Sequence, residues 1–272
     1  MTDIINTFVF PIVRKDGILT ALESLRLMTP PNYNVIVVDQ TIPDPEFEEK
    51  LRAYCDLWIK TKKNYGFAQA CNLGLRLATT EYVTVCNDDV TFIWGGWWAG
   101  IMETFKRYET AACVNPSSPK EPGWGYGRPG FIYHLTFEES IKPENILRLI
   151  EKKNGQMIDG IVCWCTVFRA DRLAEVGLFD ERWFPGGGED YDKIACIYRA
   201  GYRALATSLS WCWHEWGQSK DRPDGLEEAL PPARENWNKL GEVWKSGFDI
   251  WAKDPKTQEP LPRDPVIARM PL

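Results

Sequence analysis

Two short runs rich in β-branched residues each end in acidic residues. Val35–Val38 is followed by Asp39, and the run from Glu81 to Cys86 is followed by the cluster Asn87–Asp89. Runs of this length and composition predict strands that are buried on both faces of a sheet. Carboxylates at the ends of such strands lie at the edge of an α/β sheet, where ligands bind. We therefore expect a functional site at that edge.

Strand patterns alternate with helical patterns along most of the chain. The predicted strands are Asn6–Val13, Val35–Val38, Leu57–Lys60, Glu81–Cys86, Gly160–Arg169 and Tyr202–Leu209. The predicted helices are Asp16–Met28, Glu46–Tyr54, Phe67–Ala78, Glu138–Lys153, Ala170–Val176, Tyr191–Ala200 and Ala233–Trp244. This alternation predicts an α/β fold with a mostly parallel central sheet flanked by helices. A loop is predicted from Asn115 to Gly130, where glycine and proline are frequent, and it is long enough to close over a site.

Composition narrows the classes of function. The 272 residues carry a net charge of −6, and the calculated pI is about 5.2, so no global basic field favours polyanions. The eight cysteines are too few for a disulfide framework. The sequence begins without a basic, apolar leader and has no run of about 18 apolar residues, so we expect a cytoplasmic protein without a membrane segment.

A second acidic cluster follows a glycine run about a hundred residues after the first. Glu189 and Asp190 come directly after Gly186–Gly188 and open a predicted helix. Acids at a helix start are stabilised by the helix dipole, so a purely structural role is one interpretation. The other is a general base at the rim of the pocket. His214, one of two histidines, lies in the aromatic segment Trp211–Trp216 and is either structural or a ligand of a cation.

The first cluster is suited to a hard divalent cation. Mg²⁺ and Mn²⁺ prefer oxygen ligands and share their coordination shell with diphosphate oxygens. We expect Asp89 to be the metal ligand, with Asn87 and Asp88 beside the nucleotide. Asp39 either caps the next turn or accepts hydrogen bonds from a nucleobase or ribose. The sequence alone does not decide between these two roles.

Several further residues are candidates for binding. Asn64 and Gly66 set a turn, and Asn72 stands inside a helix, where asparagine is mildly unfavourable and suggests a specific partner. The thirteen tryptophans either pack in the core or offer stacking platforms for sugars or bases. A rival hypothesis places Zn²⁺ between four residues that could share a face at i, i+2 spacing: Cys163, Cys165, Cys212 and His214.

The motifs occur in an order that resembles family 2 of the GT-A glycosyltransferases, particularly its rhamnosyl- and galactofuranosyltransferase-like branch. The matching segments are a first strand with Pro11, Val37–Asp39, Asn64–Ala68, Asn72–Gly74, Asn87–Val90, Phe168–Arg169, Val176–Phe184, Glu189–Asp192 and Arg199–Tyr202. They extend over about residues 5–216. Two positions depart from the family pattern: Gln40-Thr41 replaces the usual acid after Asp39, and Asn87 replaces the first acid of the metal motif.

The resemblance implies a GT-A, Rossmann-like domain over residues 1–219. The segment after about Lys220 does not match the family, and we expect residues 220–272 to form a helical or irregular C-terminal extension that packs on the domain. It implies Asp190 as catalytic base, with Asp89 and His214 holding Mn²⁺ or Mg²⁺. The expected donor-binding residues are Pro11, Asp39, Asn64, Gly66, Asn72, Asn87 and Asp88. The expected acceptor-binding residues are Trp124, Trp183, Glu189 and Trp213.

The expected activity is therefore transfer of a hexose or deoxyhexose from a nucleotide-sugar donor to an acceptor hydroxyl, with inversion at the anomeric carbon. The acceptor is expected to be a glycan. Three alternatives stay open at the level of sequence: the same transfer to a hydroxylated base in nucleic acid, a nucleotidyltransferase, and a non-catalytic sugar-binding module. A nucleotidyltransferase would normally carry a glycine-rich phosphate loop after the first strand, and the segment from Pro11 to Gly17 does not provide one.

Overall fold

The computed structural model of the chain describes residues 3–120, 135–153, 155–159 and 163–215. The strands are β1 (Asn6–Ile12), β2 (Tyr33–Asp39), β3 (Leu57–Lys60), β4 (Tyr82–Cys86), β5 (Val90–Thr91), β6 (Ala111–Ser117), β7 (Met157–Asp159), β8 (Cys165–Arg169), β9 (Arg203–Trp211) and β10 (Trp213–His214). The helices are α1 (Ile18–Met28), α2 (Pro45–Arg52), α3 (Gly66–Leu75), α4 (Trp97–Arg107), α5 (Phe137–Ser140), α6 (Pro143–Lys153), α7 (Ala170–Val176) and α8 (Glu189–Arg199).

Eight of these strands form one sheet in the order β3-β2-β1-β4-β8-β6-β9-β7. The pairs β3·β2, β2·β1, β1·β4 and β6·β9 are parallel, whereas β8 and β7 run antiparallel to their neighbours. Strands β5 and β10 form a separate antiparallel pair. The predicted α/β fold with a mostly parallel sheet is confirmed.

The sheet is covered on both faces, which explains why its strands read as continuous apolar runs. In β1, Phe8 and Phe10 belong to a buried cluster with residues of α1 and α4, whereas Val9 belongs to a second cluster with residues of α3 and α8. Successive side chains of a strand point to opposite faces, so each face of β1 receives its own apolar layer.

Several of the predicted boundaries are wrong, and the helix predicted over Glu138–Lys153 is two helices, α5 and α6. The loop predicted to begin at Asn115 begins later, because β6 continues through Ser117 and pairs with β9. Its register shifts between Pro116 and Ser117, an irregularity of the kind that admits proline in a sheet. The strand predicted from Gly160 begins at Cys165, because Cys163 and Trp164 form a turn. Helix α4 and strands β5, β6, β7 and β10 were not predicted.

Some predictions lie outside the described residues. These are Trp124, most of the loop from Asn115 to Gly130, the helix Ala233–Trp244 and the C-terminal extension 220–272. The division of the chain at residue 219 therefore stays a prediction. Within the described ranges, all eight cysteines are free thiols, and no helix is both long and apolar enough to cross a membrane.

Candidate active site

Two loops meet where β1 and β4 end. The loop after β1 brings Arg14 to the acidic cluster after β4, and its guanidinium donates to Asp88 from Nη2 at 3.0 Å and from Nε at 3.2 Å. Gly17, with φ of 91°, lies so close that a Cβ there would be 2.5 Å from the carbonyl oxygen of Asp88. A larger residue at this position would push the two loops apart. Arg14 was not predicted as a site residue. The sequence does show that it is a basic residue directly after an apolar run.

The small β5·β10 pair brings His214 to Asp89. His214 pairs with Val90 across the two strands, and Glu215 N donates to Asp89 O at 3.0 Å. As a result, His214 Nε2 lies 3.2 Å from Asp89 Oδ1, with both side chains less than 10% exposed. The structure therefore joins two of the predicted metal ligands, which are 125 positions apart in the sequence.

The imidazole of His214 is fixed on two further sides. Its ring stacks on the indole of Trp164, with centroids 4.8 Å apart and planes 10° apart. Its backbone N–H donates to Ser118 Oγ at 3.2 Å. Trp164 also accepts a hydrogen bond from Asn87 N at 2.8 Å through its carbonyl oxygen. The same turn thus contacts both the acidic cluster and the histidine, which fixes their relative positions.

The two neighbouring carboxylates have opposite pKa shifts. Burial raises the pKa of Asp88 to about 7, although Arg14 opposes the shift. Burial would also raise the pKa of Asp89, but the nearby His214 and the charge of Arg14 outweigh it and hold that pKa below its usual value. Asp89 is therefore ionised at neutral pH, which is the state a metal ligand requires.

Asp89 and His214 fit a divalent cation. Asp89 Oδ1 is buried and accepts no hydrogen bond of good geometry from the described residues, although His214 Nε2 faces it. Their separation of 3.2 Å is near the ~3 Å edge of an octahedron with metal–ligand bonds of about 2.1 Å. In the described part of the chain, no three histidine, cysteine or acidic side chains are grouped to hold a metal ion. The pair supplies two ligands, and the other positions of an octahedral shell suit oxygen ligands such as those of a diphosphate.

The absence of such a group among the described residues also tests the hypothesis of a zinc site. Cys163, Cys165, Cys212 and His214 all lie in the described residues, and they do not form a group that could hold a metal. Cys163 lies in the turn before β8, so the i, i+2 strand geometry assumed for Cys163 and Cys165 is absent. The zinc hypothesis is wrong for this reason.

Asp39 is completely buried at the end of β2. Its Oδ1 accepts a hydrogen bond from Thr41 N at 2.8 Å, which is the turn-capping role that the sequence left open. Its Oδ2 accepts from Trp58 Nε1 at 3.1 Å and from Lys60 Nζ at 3.0 Å. The carboxylate thus accepts three hydrogen bonds from the protein, and its predicted contact with a nucleobase or ribose stays a prediction. Pro11 is buried inside β1, opposite Val38.

The predicted donor-binding residues in α3 and just before it contact other parts of the protein. Asn64 Oδ1 accepts a hydrogen bond from Gly66 N at 2.8 Å, so Asn64 closes the turn that starts the helix. A Cβ at Gly66 would lie 2.7 Å from the carbonyl oxygen of Pro185. Asn72 donates to Phe179 O at 2.8 Å and accepts from Phe179 N at 3.0 Å. Gly66 and Asn72 thus attach α3 to the segment that precedes α8.

Helix α8 presents the second acidic cluster at its N-terminus. Glu189 is buried and its Oε2 accepts no hydrogen bond from the described residues, whereas Asp190 is half-buried. Burial and then the charge of Asp190 raise the pKa of Glu189 to about 8. Gly188, with φ of 109°, packs under the ring of Trp183, where a Cβ would lie 2.7 Å from the indole. At neutral pH, Glu189 is therefore largely protonated.

A cleft of about 320 Å³ opens at the acidic cluster. It is lined by Arg14, Asp16, Gly17, Thr20, Asp88, Asp89, Val90, Thr91, Phe137, Trp213 and Glu215. Of the predicted acceptor-binding residues, Trp213 is in this lining, whereas Trp183 and Glu189 are not. Sequence reasoning missed Phe137 and Glu215, because neither has a motif and only the fold brings them to the cleft.

The fold is that of known glycosyltransferases. A mannosyltransferase from Pyrobaculum calidifontis, solved with GDP-Man and Mn²⁺, matches 79% of this chain and 58% of its own length with a TM-score of 0.56 and 20% identity. GalNAc-T7, solved with UDP, GalNAc and Mn²⁺, matches 93% of this chain and 52% of its own length with a TM-score of 0.64 and 17% identity. Residues 1–349 of TarS from S. aureus match 93% of this chain and 71% of their own length with a TM-score of 0.56 and 14% identity.

The chain spans little more than half of the first two of these proteins. The central sheet and its flanking helices thus define a GT-A fold.

The sequence profile described as "Glycosyl transferase family 2" matches residues 9–175, more than half of the chain. The chain therefore belongs to glycosyl transferase family 2. No curated protein matches the sequence. Membership of the rhamnosyl- and galactofuranosyltransferase-like branch stays a prediction.

Proposed function

We propose that the protein is a metal-dependent, inverting glycosyltransferase that moves a sugar from a nucleotide-sugar donor to a hydroxyl group of a glycan. The observation that carries the proposal is the pair Asp89 Oδ1 and His214 Nε2, 3.2 Å apart at the sheet edge of a family 2 fold. Two structural relatives support the donor class and the metal, since they were solved with GDP-Man or UDP together with Mn²⁺.

Asp89 and His214 would hold Mn²⁺ or Mg²⁺. When bound, such an ion neutralises the negative charge that develops on a leaving nucleoside diphosphate. The protein contributes a fixed, ionised carboxylate and an imidazole that is oriented by Trp164. Arg14 adds a positive charge at the same cleft, although Asp88 already binds it. The site therefore suits a diphosphate better than its carboxylates alone would.

Asp190 is the proposed catalytic base. It would accept the proton of the acceptor hydroxyl while the oxygen attacks the anomeric carbon from the face opposite the diphosphate. The new C–O bond forms as the bond to the diphosphate oxygen breaks, so the configuration inverts and no covalent enzyme intermediate is needed. Its neighbour Glu189 is buried and largely protonated at neutral pH, whereas Asp190 is half-buried at the start of α8. Asp190 is therefore the more accessible carboxylate of the two for an acceptor hydroxyl.

The glycan acceptor is supported by two features. The net charge of −6 disfavours nucleic acid, whose affinity for proteins depends on cationic contacts with phosphate. The aromatic residues Phe137 and Trp213 line the cleft, and aromatic rings can stack on sugar faces. Transfer to a hydroxylated base in nucleic acid has no specific support among the described residues.

A panel of nucleotide sugars tests the proposal. The purified full chain is incubated with UDP-, GDP- and dTDP-linked sugars, with and without Mn²⁺, and release of the nucleoside diphosphate is measured. We expect slow hydrolysis of one donor class that stops in excess chelator. Full activity in chelator would refute the metal, and absence of turnover with any donor despite tight donor binding would favour a sugar-binding module.

A further inference from the structure

The cleft has an aromatic and acidic end that the metal pair and the proposed base do not use. It is formed by Phe137, Trp213 and Glu215, next to Asp89. We propose that these three residues form a subsite for one sugar ring, with Phe137 stacking on its apolar face, Trp213 closing one side and Glu215 accepting hydrogen bonds from two neighbouring hydroxyls. This proposal rests on the proposed function and names the part of the site that recognises carbohydrate.

The aromatic wall has the geometry of a corner. The rings of Phe137 and Trp213 are 5.4 Å apart and inclined by 74°. Trp213 is only 7% exposed, whereas Phe137 is 37% exposed, which is high for a phenylalanine. A pyranose ring has an apolar face of C–H groups that covers such an exposed aromatic surface. The exposed phenylalanine therefore offers the main stacking face and the tryptophan closes the corner.

Glu215 supplies the polar half of the subsite. Its Oε2 accepts a hydrogen bond from Trp213 Nε1 at 2.7 Å, and its Oε1 is bound by Lys120. Each carboxylate oxygen has a second lone pair, so both can accept a further hydrogen bond. The side chain is 42% exposed and its orientation is fixed by the two protein donors. Two adjacent sugar hydroxyls match a carboxylate that is presented in this way.

The subsite is built by the fold rather than by a mobile side chain. Phe137 starts α5, whose first turn is fixed by a capping box between Thr136 and Glu139. Helix α6 packs Ile146 and Leu149 into a buried cluster with Trp211 and Trp213. The apolar face of α6 is therefore buried, whereas Phe137 of α5 remains exposed at the cleft.

The position of the subsite also favours a sugar over a nucleoside. Glu215 N donates to Asp89 O at 3.0 Å, so the subsite is attached to the backbone of a metal ligand. Neither Asp39 nor its partner Trp58, at the edge where the nucleoside is predicted, is in the cleft lining. The group that lies beside the metal and away from that edge is a sugar, either that of the donor or that of the acceptor.

Three variants of the full chain test the subsite. Phe137→Ala removes the stacking face, and Glu215→Gln keeps the shape of the side chain but removes its charge. Leu147→Ala is the matched control, because Leu147 is 48% exposed on α6 and is not in the cleft lining. Thermal unfolding verifies that each variant is folded. Binding is read by saturation-transfer NMR with methyl glycosides, and KM is measured for donor hydrolysis and for transfer.

We expect Phe137→Ala to raise the KM for one sugar substrate by about 3- to 10-fold, the range expected for loss of one aromatic contact. A raised donor KM in hydrolysis assigns the donor sugar, whereas a raised acceptor KM with normal hydrolysis assigns the acceptor sugar. If glycoside signals and both KM values match those of Leu147→Ala, the subsite is refuted. Absence of a glycoside signal in wild type, with or without a signal from nucleosides, also refutes it. If wild type turns over no donor, the proposed function fails, while the glycoside signals still test the subsite.

Discussion

The side-chain amide of Asn72 binds both backbone polar groups of Phe179. Its Nδ2 donates to Phe179 O at 2.8 Å and its Oδ1 accepts from Phe179 N at 3.0 Å, while Nδ2 also donates to Glu181 Oε1 at 2.9 Å. Asn72 lies in the middle of α3, so these bonds attach that helix to the segment leading to α8. The unfavourable mid-helix asparagine therefore has a structural partner, and its predicted donor contact stays a prediction.

Replacing Asn72 by alanine should lower the free energy of unfolding by about 1–3 kcal/mol. The reason is that the buried backbone groups of Phe179 lose their partners. The midpoint of urea denaturation measures this loss. Gln69→Ala in the same helix is the control and should cost less, and equal stabilities of the two variants would contradict the role of Asn72.

Glu189 should make the protein less stable as pH rises. Its pKa is raised to about 8 in the folded protein, against 4.5 for an ordinary glutamate, so the folded state holds a proton that the unfolded chain releases. Stability should decline between about pH 5 and 8, with a slope of up to about 1.4 kcal/mol per pH unit from this group.

Glu189→Gln should reduce this slope, because the amide does not titrate. Urea midpoints at pH 5.5 and 8 measure the difference for wild type and variant. A residual slope up to about pH 7 is expected from Asp88, whose pKa is also raised. Identical pH profiles for wild type and Glu189→Gln would show that Glu189 is ionised in the folded protein.

Asp190→Asn should lower kcat by about 100-fold or more while donor binding stays nearly intact. The amide keeps the shape of the side chain but accepts no proton. Asp192→Asn in the same first turn of α8 is the matched control and should retain most of the activity. Normal turnover of Asp190→Asn would leave only the helix-dipole role for Asp190.

The sequence predicted the features that depend on local patterns. Apolar runs marked β1, β2 and β4, and the carboxylates Asp39, Asp88 and Asp89 lie at the ends of β2 and β4 as expected. The β5·β10 pair was not predictable, because two-residue strands such as Val90–Thr91 show no periodicity. The close approach of Arg14 to Asp88 and of Phe137 to Trp213 depends on tertiary packing, which local patterns do not encode.

Asp89 and His214 are proposed to hold a divalent cation together with a nucleoside diphosphate. Mn²⁺ binding to the full chain, measured by electron paramagnetic resonance with UDP or GDP present, tests this pair. Asp89→Ala should abolish diphosphate-dependent binding, and His214→Ala should weaken it about 10-fold or more, a loss of about 1.4 kcal/mol. Asp16→Ala, another carboxylate of the cleft, should bind as wild type does. Wild-type Mn²⁺ affinity in both Asp89→Ala and His214→Ala would show that these two residues do not hold the cation.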